Sequence, residues 1–202
     1  DLKNEKSNAL LVKGGDHLTV DGIINRQKQS VNILGHVNYP GIFGFKVGMR
    51  ISNLVQSMTD FPPGLDKDFG MIAREDPVSG ILSAVPFKPS DVISSPGSKH
   101  DLFLQSRDQV MFFSNNISRS PLLDDLIAAL DSQARAGNLS KVVSISGSRL
   151  PGKFPLIDSM RVSDLIFAGG GLQANYADLD YALLVREEIE DEGDVKVIGV
   201  SL

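Results

Sequence analysis

The chain has 202 residues, 42% of them hydrophobic and 22% charged, with 20 Lys+Arg against 25 Asp+Glu and no cysteine. It is long enough for one large domain or two small ones, too apolar for a disordered chain, and lacks thiol nucleophiles, disulfides and cysteine-type metal sites. No basic cluster interleaves with aromatics as a nucleic-acid surface requires, no apolar run approaches the ~18–20 residues of a spanning helix, and residues 1–30 lack the basic start and apolar centre of a signal peptide.

Residues 9–20, ALLVKGGDHLTV, resemble LFLQSRDQVMFF at 102–113, setting Leu10 on Leu102, Val12 on Leu104, Asp16 on Asp108 and Val20 on Phe112. Residues 1–30 are therefore expected to be the tail of a preceding repeat, with 9–20 pairing with the first full unit or packed beside it. From residue 31 the period is two. Val31, Ile33 and Val37, then Ile42, Phe43, Phe45 and Val47 beyond Pro40-Gly41, predict a β-hairpin. Ile51, Leu54, Val55 and Met58 form a helical stripe, predicting a helix over 50–58. Strands are expected at 69–73 and 81–87, then at 102–105 and 109–114.

Between 115 and 140, Leu122, Leu123, Leu126, Ile127, Leu130 and Ala134 predict a packed connecting helix, with Ser120 as its cap, Pro121 in its first turn and Gly137 as its stop. After it the first unit returns. VNILGHVNYPGIFGFKVGMRISNLV at 31–55 reappears as VSISGSRLPGKFPLIDSMRVSDLI at 143–166, and DFGMIARED at 68–76 as DYALLVREE at 180–188. The identities run in one order: Gly35/Gly147, Gly41/Gly152, Phe43/Phe154, Arg50/Arg161, Asp66/Asp178, Arg74/Arg186. A helix is expected at 161–168, ended by Gly169-Gly170-Gly171, with strands at 181–185 and 195–202. No second counterpart of 102–113 follows, so the chain reads as a fragment of a longer array whose sheet edge near 195–202 stays open. The expected fold class is α+β. It comprises tandem β-grasp domains at 31–114 and 141–202, each a mixed sheet with one packed helix, the second cut short at its C-terminal end.

Catalytic and metal chemistry is thin in this sequence. His17, His36 and His100 stand in no ligand spacing, Ser144, Ser146 and Ser148 lie on a strand pattern and are expected to face solvent, and no GxSxG elbow is present. The three glycines lack the Lys and Ser/Thr of a phosphate-binding loop, and they follow a helix where such a loop precedes one. The acidic residues from Glu187 to Asp194 lack calcium-loop order and read as a solvated hairpin tip. Arg50 and Arg161 begin their helices, where a cation opposes the macrodipole, so an ion pair with Glu75 or Glu187 or with a neighbouring unit is expected. No catalytic residue, metal or cofactor is assigned.

The pattern V-x-I-x-G, P-G-x-F, M-R-V/I-S-D/N-L, A-G-G-G-L and a closing strand with Arg resembles the soluble-ligand-binding β-grasp (SLBB) domain. Together with LIAALDSQARAG it is similar to the multi-SLBB members of the polysaccharide biosynthesis/export family. The first copy departs from the pattern, carrying Pro62-Pro63 in place of the glycines. The resemblance implies a non-catalytic periplasmic segment of an outer-membrane-associated export protein. Its implied partners are polysaccharide, other subunits of the same protein and inner-membrane polymerisation proteins, with Arg50, Arg161, Tyr39 and Arg149 as contacts to saccharide or partner. The competing classes are an envelope enzyme acting on polysaccharide, with paired carboxylates in a cleft, and a small-ligand-binding module.

Overall fold

The computed structural model describes residues 13, 29–134, 140–173, 175, 177–187 and 195–202. Of the expected tail at 1–30, residues 1–12 and 14–28, His17 among them, lie outside these, as do Gly137 and the acidic residues 188–194.

Strand β1 (Ser30–Gly35) turns Val31 and Ile33 inward and pairs antiparallel with β2 (Gly41–Gly44), with Ile33 opposite Gly41 and Val31 opposite Phe43. Strand β3 (Leu65–Glu75) pairs antiparallel with β4 (Leu82–Phe87). The two hairpins are joined by β5 (Gln109–Ser114), which runs parallel to β1 and antiparallel to β3 and gives the mixed order β2-β1-β5-β3-β4. Val110, Met111, Phe112 and Phe113 of β5 are all buried, so the centre of this sheet is covered on both faces. On one face Phe112 meets Phe61 and Phe87 edge-on, with centroids 4.9 and 5.4 Å away, among Ile33, Ile51 and Ile72. The other face carries Phe69, Met71, Met111 and Phe113.

That second face is closed by the connector and the second copy. Helix α2 (Ser120–Ser132) lays Leu123, Leu126, Ile127 and Leu130 on it, and Phe154 and Ala168 of the second copy complete the cluster. Ser120 is the first helical residue; Arg119 holds the cap position, and no side chain caps the helix. The helix stops at Ser132, where the Gln133 side chain turns to bond the Leu82 backbone N–H and C=O.

The helix expected over 50–58 is instead two short 3₁₀ turns, Ile51–Asn53 and Met58–Asp60. Side-chain oxygens take the backbone donors that an α-helix would use: Asp101 takes Ser52 N–H, and Asp60 takes those of Gln56 and Ser57. The α-helix of this unit is α1 (Pro89–Ser94), with Val92 buried. Residues 102–105 form a single bridge, Phe103 to Arg50, where a strand was expected.

Residues 141–202 share several local features with residues 31–114. Strand β6 (Val142–Ile145) pairs with β7 (Gly152–Pro155) in the register of β1 and β2, and Gly147 and Gly152 share positive φ with Gly35 and Gly41. Asp178 accepts from Asp180 N–H as Asp66 does from Asp68 N–H. Helix α3 (Val162–Ala168) closes as expected. Gly171 N–H bonds Ile166 C=O, Gly170 N–H bonds Phe167 C=O, and Gly170 takes φ +77. Strands β8 (Tyr181–Glu187) and β9 (Val195–Ser201) form an antiparallel hairpin. One expectation fails here. Among the described residues β6–β7 and β8–β9 are separate two-stranded sheets, because no strand plays the joining part of β5. No helix among the described residues is long and apolar enough to cross a membrane.

Candidate functional site: a cleft between the two copies

A cleft of about 540 Å³ opens where the start of β3 faces the end of α3, lined by Asp66, Lys67, Asp68, Asn115, Arg149 and Phe167 together with Gly170 and Gly171. Its first wall is set by an Asx turn. Asp66 Oδ1 accepts from the N–H groups of Asp68 and Phe69, both at 3.0 Å, and fixes the kink where the chain enters β3. Asp66 Oδ2 accepts from Arg119 Nη2 at 2.5 Å.

Arg119 is the buried cation beneath this wall. Its guanidinium lies over the Phe69 ring, 4.1 Å from the centroid, and 5.6 Å from that of Phe113. Burial pushes its pKa down to about 10, Asp66 opposes that shift and the charge of Arg149 adds to it. At neutral pH it remains charged, facing the Asp66 carboxylate. Its Nε and Nη1, like Oδ1 of Asn115 on the cleft wall, are buried without a hydrogen-bond partner among the described residues.

The second wall comes from the turn that ends α3. Arg149 N–H bonds Gly171 C=O at 2.9 Å and Leu150 N–H bonds Gly169 C=O at 2.7 Å, so the segment after β6 is strapped to the glycine turn. Phe167 stays half exposed at the rim, with Lys88 Nζ 6.0 Å above its ring. Close approach explains one of the glycines: a Cβ on Gly169 would stand 2.6 Å from Ser148 Oγ. Ser148, expected to face solvent with Ser144 and Ser146, is buried for this reason, and the other two are exposed.

Chemically the cleft offers binding. Asp66 spends its oxygens on two backbone donors and one guanidinium, so it is neither a free base nor an acid. Two carboxylates stand among Lys67 and Arg149, giving mixed charge and not one acidic patch. The exposed Arg149 guanidinium beside the half-exposed Phe167 ring suits a polar, hydroxyl-rich ligand.

Of the four residues expected to contact saccharide or partner, Arg149 lines this cleft. Arg50 packs within the first copy, donating to the carbonyls of Ser98 (3.1 Å) and Asp101 (2.5 Å) and stacking 3.6 Å over Phe103. The ion pair expected between Arg50 and Glu75 is absent; Glu75 pairs with Arg107 at 3.0 Å, and carbonyls compensate the Arg50 charge. Arg161 is exposed at the start of α3, its backbone N–H bonded to Asp164, and Tyr39 is exposed on the β1–β2 connection. The four are not joined by any hydrogen bond, ion pair or ring contact among the described residues. Sequence reasoning missed Asp66, Asn115, Arg119 and Phe167. The Asp66/Asp178 identity between repeats was the available signal. The remaining histidines serve locally, His36 Nε2 against Pro63 C=O at 3.0 Å and His100 3.9 Å from Asp91, and no three potential metal ligands cluster among the described residues.

Residues 30–58 match the family model described as SLBB domain. The match spans β1, β2 and the first 3₁₀ turn and ends at Met58, where the second begins, and this domain type is associated with ligand and polysaccharide binding and with export proteins. No curated protein matches the chain.

Proposed function

We propose that this chain is a non-catalytic periplasmic segment of a polysaccharide-export protein of the outer membrane, its SLBB units serving as an assembly and saccharide-contacting scaffold. The observation that carries this reading is the cleft shared by the two copies, which Arg149, Asp68, Lys67 and Asn115 line together with the half-exposed Phe167. A repeated unit that shares its core with its neighbour builds an extended wall, and shallow mixed-polarity clefts at each junction give that wall weak, repeated contacts with a passing glycan. Selectivity then comes from surface polarity and from subunit and inner-membrane partners.

Two measurements test this. Titrating the purified chain with acidic and neutral capsule-type oligosaccharides should shift the NMR signals of Arg149 and Phe167, and Arg149→Ala with Phe167→Ala should weaken binding at least tenfold. Deleting the segment in the native host should abolish surface polysaccharide. Unchanged surface polysaccharide, or cleavage of glycan by the purified chain, overturns the reading.

A further inference from the structure

Strands β6 and β8 line a second cleft, of about 930 Å³, through Ser144, Ile145 and Ser146 on one side and Leu183, Leu184 and Val185 on the other. In the first copy the equivalent strands are β1 and β3, and β5 fills the space between them. The difference is visible at matched positions. A Cβ on Gly35 would stand 2.1 Å from the Phe112 carbonyl of β5, whereas Gly147 has nothing within 4 Å. Ile72 is 0% exposed, and its counterpart Leu184 is only partly covered. Leu183 and Val185 are 61% and 62% exposed on the other face of the same hairpin. A two-stranded ribbon with apolar side chains open on both faces is marginal alone and calls for a partner.

The chain also carries a second β5-type sequence. Asp16-His17-Leu18-Thr19-Val20 corresponds to Asp108-Gln109-Val110-Met111-Phe112. Carrying over the registers of β5 puts Leu18 between Ile145 and Leu184, as Val110 stands between Ile33 and Ile72, and Val20 between Gly147 and Ala182, as Phe112 stands between Gly35 and Gly70. Charge follows the same register. In the first copy the fully buried Asp108 takes Nε and Nη2 of Arg74 at 3.0 and 2.6 Å. Arg186 is the repeat counterpart of Arg74, exposed on β8 and without an acidic partner among the described residues. Asp16 is the counterpart of Asp108.

We infer that the cleft between β6 and β8 receives residues 16–20 of a second copy of this chain as an added strand, parallel to β6 and antiparallel to β8, with Asp16 paired to Arg186. Backbone hydrogen bonds from both edges supply adhesion, and Leu18 and Val20 supply the alternate side-chain contacts of strand addition. Donor and acceptor are different parts of the chain, so the contact is head-to-tail and propagates. This goes beyond the glycan-scaffold reading and does not depend on it.

The absence of native cysteine makes a crosslinking test clean. Leu18→Cys in one preparation and Leu184→Cys in another should give a covalent heterodimer when the full chains are mixed under mild oxidation, while Leu18→Cys with Val47→Cys should not. Sedimentation velocity should show concentration-dependent association that Asp16→Arg or Arg186→Asp weakens at least tenfold and the double charge swap restores, with circular dichroism verifying that each variant is folded. A chain that stays monomeric throughout, a heterodimer that does not form, or a disulfide found only within single chains carrying both cysteines would each overturn the inference.

Discussion

The carboxylate of Asp66 and the guanidinium of Arg119 meet at 2.5 Å across the junction between the entry to β3 and the start of α2, with the arginine almost fully buried and stacked on Phe69. Removing one member of a buried pair strands the other's charge, which costs about 3–5 kcal/mol. Asp66→Ala should therefore lower the unfolding free energy by roughly that amount in urea titrations. The double variant Asp66→Ala/Arg119→Met should recover part of the loss but not all, since the Asx turn to Asp68 and Phe69 stays broken.

Gly35 and Gly147 have nearly the same φ, +88 and +78, in different surroundings. Alanine at either pays conformational strain of about 1–3 kcal/mol, and Gly35→Ala adds a clash with the Phe112 carbonyl worth about 1–3 kcal/mol more. Thermal denaturation should rank Gly35→Ala clearly below Gly147→Ala. Equal losses would mean that β5 yields to the extra methyl.

Phe154 belongs to the second copy yet packs with its ring centroid 6.4 Å from that of Phe69, on the sheet of the first. Phe154→Ala should cost about 3–5 kcal/mol. Hydrogen exchange should show the loss in the β3 and β5 amides as well as in α2. Unchanged protection of β3 and β5 would show that the copies unfold independently.

In the β3–β4 turn, Asp76 accepts from Ser79 N–H, Ser79 Oγ and Val78 N–H, and these bonds hold its carboxyl below the ordinary carboxylate value. A depressed carboxylate pKa contributes stability that is present above the unfolded value near 3.8 and lost as pH falls through the folded one. Carboxyl-carbon NMR should place the Asp76 midpoint below 3.8, and Ser79→Ala should raise it toward that value.

Where one local force decides, the sequence reads well. Alternation placed β1 and β2, short strand-like runs placed β3, β4 and β5, the leucine stripe of 122–130 placed α2, and three glycines after a helical stripe gave the turn that ends α3. The segment 50–58 misled because its apolar stripe is helical, whereas Asp60 and the distant Asp101 capture the N–H groups that would have closed the helix. Helix α1 spans six residues, too few for a period to show; Pro89 in its first turn was the cue. In the cleft, Arg149 was anticipated from the family resemblance. Arg119 was not, because its partners Asp66 and Phe69 lie 53 and 50 residues away and no spacing rule connects them.

The centre of the first copy's sheet is covered on both faces, on one side by its own core and on the other by α2 and Phe154. A unit built this way is poor material for recombination. Excised at 31–114, it would carry Phe69, Met71, Met111 and Phe113 into water; grafted elsewhere, it would need another neighbour with a leucine-faced helix and an aromatic at the place of Phe154. The smallest piece that keeps this face covered is therefore the unit, the connector that follows it and the strand that carries Phe154.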